Sequence, residues 1–234
     1  MKKMAEHSCQ IKRSYIHSCE FIGSMFLVIA AVSPMILFLD IFGSTLAVAV
    51  VADALAVGFV LFALIEIFGP ICTAYFNPAV SFAMAINKEL RWIEAARYSF
   101  FQILGGITGL LVTHIMYYDS IPKIIEISEI ERSGGAYIGE ILGTFILVLC
   151  IMSLVHQRSD RTSLIVGFLV AGMLMATSST MFANPQVTIA RIFTYSAAGI
   201  RILDAMVFIV LQFIASALAV FTWKHVISNC SCKQ

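Results

Sequence analysis

The chain has 234 residues, 60% of them hydrophobic and 12% charged, with a formal net charge of +1 and a mean hydropathy of +0.93. An average soluble domain carries about 25% charged residues, so this composition excludes a water-soluble globule and points to an integral membrane protein. Near-neutral charge without a basic cluster excludes nucleic acid as a partner.

The first 20 residues are polar, and Lys2, Lys3, Lys12 and Arg13 have the look of a signal-peptide n-region. The apolar run that follows, Phe21–Leu39, holds 19 residues without Asp, Glu, Lys or Arg. That is too long for an h-region, and no small-x-small cleavage site ends it. It is expected to be a retained first span. About 20 apolar residues cross a bilayer core, which places spans near 16–39, 46–69, 93–117, 136–155, 163–181 and 201–227. Two short segments interrupt this series, Phe76-Asn77-Pro78-Ala79-Val80 and Ala183-Asn184-Pro185-Gln186-Val187. Each has the signature of a helix start, because Asn is a favoured N-cap and Pro is tolerated at the first helical position. Half-helices are expected near 77–88 and 184–194. A helix start at membrane depth leaves backbone N–H groups unpaired, which is tolerable only beside water, a ligand or other protein. One such start in each half of the chain points to two half-helices meeting at a central pore.

The fold expected is an all-α membrane protein of six transmembrane helices and two half-helices, forming one domain over 1–234. With the N-terminus inside, only Lys123, Arg132, Arg191 and Arg201 of the 15 basic residues lie outside. The positive-inside rule therefore places both termini in the cytoplasm, with tails 1–15 and 228–234. Cys9, Cys230 and Cys232 then face a reducing compartment, and no disulfide framework is expected. Two thiols on a terminal tail do not make a structural metal site, and neither metal nor cofactor is expected.

The two halves echo each other. Glu20-Phe-Ile-Gly-Ser24 opens the first span and Glu140-Ile-Leu-Gly-Thr144 the fourth; Gln102 follows Asn77 by 25 residues and Gln212 follows Asn184 by 28. Three spans per half is an odd number, so the repeats, about 16–117 and 136–227, are inverted relative to one another. On these motifs the whole chain resembles the aquaporin, or major intrinsic protein, family. The resemblance implies a right-handed bundle with one pore per protomer, usually in a tetramer, in the plasma (inner) membrane.

The positive ends of both half-helices point at the pore centre, built from Asn77, Pro78, Ala79, Asn184, Pro185 and Gln186. Each Asn amide offers two donors and one acceptor, so one side chain can cap its helix and hold a passing hydroxyl oxygen. Glu20 and Glu140 are costly inside spans. The resemblance makes them acceptors for the backbone entering each half-helix; a proton-relay pair is the other reading. An outer constriction, carried over by ungapped counting from the Asn-Pro motifs, falls on Val57, Gly172, Met181 and Val187. The family pattern has Arg where this chain has Val187, so the layer is expected to be wide and apolar, with Met181 as a flexible wall. Arg191 and Asp53 lie one turn outward, about 6 Å from Val187 and Val57, and are expected to flank the outer vestibule, paired through water. Gln186 replaces the small residue of Asn77-Pro78-Ala79, and either narrows the centre or folds back onto the loop.

Of the remaining polar residues, Arg97 is the candidate partner of Glu66, and His114 is either structural or a pH sensor near Asp53. Cys72 is a candidate site for thiol reagents. Val187, the following Thr188-Ile-Ala-Arg191 and Ala198-Gly-Ile200 resemble a prokaryotic subset associated with neutral metalloid hydroxides such as arsenite. The expected function is a passive channel for water, glycerol-like polyols and such hydroxides that excludes protons and ions. An ion-coupled transporter using the intramembrane carboxylates is the alternative. The histidines show no metal-ligand spacing, and no enzyme is expected.

Overall fold

The computed structural model describes residues 13–132 and 134–227. Cys9, Cys230, Cys232 and most of the two expected tails lie outside the described residues. Eight α-helices follow in order: α1 Arg13–Pro34, α2 Leu46–Phe68, α3 Pro78–Ile86, α4 Trp92–Met116, α5 Gly135–Gln157, α6 Thr162–Ala176, α7 Pro185–Arg191 and α8 Ile202–Thr222. α1 continues as a π-helical stretch, Met35–Ile41, beginning directly after Pro34. Proline has no N–H for the i−4 carbonyl and its ring crowds the preceding turn, so the helix widens there rather than continuing unchanged. α8 likewise ends in a π-helical stretch, Trp223–Ile227.

Among the described residues, five helices are long and apolar enough to cross a membrane, and exposed Phe59, Phe100, Ile138, Leu203 and Phe221 lie on their outward faces. This is an integral membrane protein. The fifth expected span is shorter than the sequence suggested. α6 has 15 residues, about 22 Å at 1.5 Å per residue against a hydrocarbon core of about 30 Å. Residues 177–184 follow in non-helical form and lead into α7, with Thr180, Met181 and Ala183 at positive φ.

Packing shows the inverted repeat. In the first half α1 packs on α4 and α2, and in the second α5 packs on α8 and α6. α3 touches α4, α8 and α5, as α7 touches α8, α4 and α1; α2 meets α6 and α3 meets α7 across the pseudo-twofold. Small residues permit the close approaches. A Cβ on Gly105 or Gly109 of α4 would lie 2.2 Å from the Phe21 or Met25 carbonyl of α1, the backbone-to-backbone packing that lipid-embedded helices favour.

Candidate functional site

The two Asn-Pro turns are built on the same plan. In the first, Ala74 and Phe76 take left-handed φ of 50° and 46°; in the second, Met181 and Ala183 take 40° and 46°. Such conformations are costly for residues with a Cβ, and a buried carboxylate holds each pair. Glu20 accepts from Tyr75 N at 3.0 Å, Phe76 N at 2.8 Å and Gln102 Nε2 at 2.7 Å. Glu140 accepts from Phe182 N at 2.7 Å, Ala183 N at 2.9 Å and Gln212 Nε2 at 2.7 Å. Each glutamine amide reaches onward, Gln102 to Ser81 Oγ on α3 and Gln212 to Thr188 Oγ1 on α7. Ser81 and Thr188, both four residues after the motif Asn, were not singled out by sequence reasoning, although that common offset was available to find them.

The glycine of each Glu-x-x-Gly makes room for the same segment. A Cβ on Gly23 would lie 2.1 Å from the Phe76 ring, and one on Gly143 would lie 2.7 Å from Met181 Cγ. Two motif residues therefore do one job, the Glu gripping the entering backbone and the Gly receiving its side chain.

Asn77 and Asn184 then cap their own helices. Asn77 Oδ1 accepts from Ala79 N at 2.9 Å and Asn184 Oδ1 from Gln186 N at 3.2 Å. Each also crosses the axis: Asn77 Nδ2 donates to Ala183 O at 2.8 Å, and Asn184 Nδ2 to Phe76 O at 2.9 Å. A carboxamide nitrogen carries two hydrogens, so one N–H on each Asn remains. Both Asn residues line one cavity of about 130 Å³. It runs from Val155 and Thr162, where α5 turns into α6, past both Asn residues to Ala31 and Arg191. Between these points the wall is mostly Leu, Ile and Val.

Val57, Met181 and Val187 line this cavity, each at most 6% exposed. Gly172 does not join them. It is exposed, and a Cβ there would meet nothing within 4 Å; the α6 residues on the cavity are Val166, Val170 and Leu174. Two residues of helix are about 200° of rotation, so a position midway between Val170 and Leu174 faces the other way. The ungapped count failed because it crossed the non-helical residues 177–183 as though they were regular.

Gln186 folds away from the axis. It is fully buried and is absent from the cavity wall, and its Nε2 donates to the Phe76 carbonyl at 3.1 Å. Gly106 of α4 provides the space: a Cβ there would lie 2.2 Å from Gln186 Oε1. The Phe76 carbonyl thus accepts from both Asn184 and Gln186, whereas for its counterpart, Ala183 O, only the Asn77 contact is seen.

Asp53 and Arg191 are not separated across an open vestibule. They are buried, 1% and 2% exposed, and directly paired, Arg191 Nη2 to Asp53 Oδ2 at 3.4 Å. Arg191 also donates to the Ala31 carbonyl and lies over the Phe182 ring. Phe182 itself was missed, because only the fold brings it beneath Arg191.

Two further expectations, the partner of Glu66 and the accessibility of Cys72, are corrected, and His114 takes the structural one of its two expected roles. Glu66 bonds to Ser163 Oγ on α6, and Arg97 pairs instead with Glu94 at 2.9 Å; α2 packs on α6 while α4 packs on α1. His114 bridges the Ile124 carbonyl and Thr194 Oγ1 and stacks on Tyr195, so it ties the loop after α4 to the segment after α7. Cys72 is 8% exposed, receives the Ala74 N–H on its sulfur at 3.4 Å and is absent from the cavity wall.

A family model described as Major intrinsic protein matches residues 6–183. The chain belongs to this family. The matched stretch stops at the residue before Asn184, where this family member departs from Asn-Pro-Ala. Among curated relatives, it is 32% identical to the aquaglyceroporin AqpS of Rhizobium meliloti over 206 residues, covering 87% of each chain. It is 25% identical to aquaglyceroporin-2 of Rhizophagus irregularis over 180 residues, 67% of this chain and 54% of that one. The X-ray structure of the aquaglyceroporin from Plasmodium falciparum superposes with a TM-score of 0.72 at 20% identity, covering 94% of this chain and 99% of that one. That likeness establishes the shared fold.

Proposed function

We propose that this major intrinsic protein is a passive channel for small uncharged solutes, namely water, glycerol-like polyols and neutral metalloid hydroxides such as arsenite, and not an enzyme. One observation carries the reading. Two Asn amides, each with a spare N–H, face the same cavity from opposite half-helices, and most of the wall around them is apolar. A neutral hydroxyl compound exchanges its water for those donors. A cation meets donors and the positive ends of two helices, with nothing to replace its hydration shell. A water chain accepting from both sides at its middle has its proton-conducting order interrupted there.

The pore centre is assigned to Asn77, Pro78, Ala79, Asn184 and Pro185, with Gln186 bracing it from behind. The outer constriction is assigned to Val57, Met181 and Val187, with Leu174 in the place first given to Gly172. With no guanidinium at position 187, this layer is wide and apolar and passes solutes larger than water. The repeats run from about 16 to 117 and 136 to 227. A homotetramer in the plasma membrane with both termini cytoplasmic accords with the charge distribution and the apolar outer faces.

The aquaglyceroporins among its relatives support the polyol part of this reading. The ion-coupled alternative finds no support in Glu20 and Glu140, each of which already accepts three hydrogen bonds from protein donors. The test is reconstitution: permeability to water, glycerol and arsenite without a driving ion gradient. Uptake that requires a proton or sodium gradient overturns it.

A further inference from the structure

A second recess, a groove of about 540 Å³, opens on α8 and shares no lining residue with the pore cavity. Ile214, Ala217, Leu218 and Phe221 form its α8 wall, and Ile86, the last residue of α3, stands across from them. Spacings of three and four residues put the α8 side chains on one stripe. Ile214, Leu218 and Phe221 are exposed, so among the described residues nothing covers them, and the small Ala217 gives the groove its depth.

The wall turns basic at one end, where Lys224 and His225 close it. The continuous helix Ile202–Ile227 has 26 residues, about 39 Å at 1.5 Å per residue, against a hydrocarbon core of about 30 Å. Lys224, near the end of that helix, therefore lies at headgroup depth. From Ile214 to Lys224 is about 15 Å of helix, the thickness of one leaflet's hydrocarbon.

Both basic side chains are held in place. Lys224 Nζ donates to the Ile86 carbonyl at 3.1 Å and so caps the end of α3. That carbonyl orients the ammonium and adds no charge, and an ammonium carries three N–H groups. His225 packs on Phe221, with ring centroids 4.6 Å apart. A ligand matched to this surface has an apolar chain one leaflet long and an anionic head. Residues 228–234, Ser-Asn-Cys-Ser-Cys-Lys-Gln, offer neither, having no apolar side chain larger than Cys and no acid.

We propose that the groove between α8 and the end of α3 binds an anionic phospholipid of the adjoining leaflet, with an acyl chain along Ile214, Leu218 and Phe221 and the phosphate on Lys224 beside His225. On the orientation proposed above, that leaflet is the cytoplasmic one. The lipid joins α8 to the half-helix whose other end is capped by Asn77. The site is separate from the pore and does not depend on which solutes the pore passes.

The test is native mass spectrometry of the full-length, delipidated protein in detergent, titrated with phosphatidylglycerol or phosphatidylcholine of identical acyl chains. Wild type is expected to bind its first phosphatidylglycerol about fivefold or more tighter than phosphatidylcholine, the factor equivalent to about 1 kcal/mol for one Lys at an anionic surface. Lys224→Gln brings the two lipids to parity, and Lys224→Arg keeps the preference. Because Lys224 also caps α3, Ala217→Trp serves as a second variant that leaves the charge in place. It fills the groove and weakens the first binding of both lipids severalfold. Equal affinities in wild type reduce the groove to ordinary apolar surface and overturn the proposal. A preference that survives in Lys224→Gln, or affinities that Ala217→Trp leaves unchanged, place the lipid elsewhere and overturn it as well. A preference that emerges only after removal of residues 228–234 makes that tail the occupant, with the same consequence.

Discussion

Glu140 is the side chain on which the second half of the pore hangs. Replacing it by Ala leaves Phe182 N, Ala183 N and Gln212 Nε2 without the acceptor they now share. A buried donor stripped of its partner costs about 1–3 kcal/mol, so the three together cost on the order of 3–9 kcal/mol. Two effects pull the loss toward the lower end. The buried carboxylate's own desolvation penalty disappears, and water from the adjacent cavity can serve some of the donors. A loss near 3 kcal/mol is still a large part of a typical folding margin of about 5–15 kcal/mol. Glu140→Gln is milder for a geometric reason. Its amide oxygen can take the Oε2 place, where Ala183 N and Gln212 Nε2 converge, but its NH2 then faces Phe182 N, so one donor is lost at about 1–3 kcal/mol. The assay is unfolding of the detergent-solubilised protein in an SDS titration followed by far-UV circular dichroism. The expected order is wild type, then Gln, then Ala. Glu20→Ala should match Glu140→Ala within about 1 kcal/mol, because its contacts are the same in number and kind. An Ala variant as stable as wild type, or less damaged than Gln, refutes the argument.

Other outcomes follow from the same geometry. Gly106→Ala drives a methyl against Gln186 Oε1 and should cost about 1–3 kcal/mol. Gln186→Ala in the same chain should recover most of that loss, and a double-mutant cycle that is additive contradicts the contact. Val187→Arg places a guanidinium in the wide layer. It should reduce glycerol permeability about tenfold more than water permeability, a difference of about 1.4 kcal/mol in barrier; equal reductions contradict a width-limited layer. Asp53→Ala leaves a buried guanidinium without its carboxylate and should cost about 3–5 kcal/mol, measured by the same SDS titration. Cys72, buried and off the cavity, should resist maleimide in the folded protein and label after denaturation; rapid labelling that blocks flux would place it on the pore.

What the chain disclosed in advance was what its local chemistry encodes. Asn-Pro ahead of an apolar run carries the signature of a helix start, and two of them within apolar sequence pointed to a pore. Glu-x-x-Gly at the head of each repeat announced a paired structural role, although that Gly23 and Gly143 receive Phe76 and Met181 became visible only in three dimensions. The i+4 spacing of Asp53 before Val57 and of Arg191 after Val187 put them at one level, but direct pairing depends on how α2 and α7 approach. Gly172 was misplaced because residues 177–183 are bent to serve Glu140, so counting along the chain loses helical phase. Glu66 was given the wrong partner for a similar reason. Charge alone made Arg97 attractive, yet which helices pack together decides who meets whom. Arg132 stands near Arg191 through a loop connection that no periodicity encodes.

The central claim, a passive pore wider than water requires, is tested most directly by stopped-flow light scattering on proteoliposomes of the purified protein, with water, glycerol and arsenite as permeants and a potassium or proton gradient as control. The account predicts water and glycerol fluxes well above those of protein-free vesicles, arsenite entry without any ion gradient, and no ion leak. Water permeation with neither glycerol nor arsenite flux contradicts it.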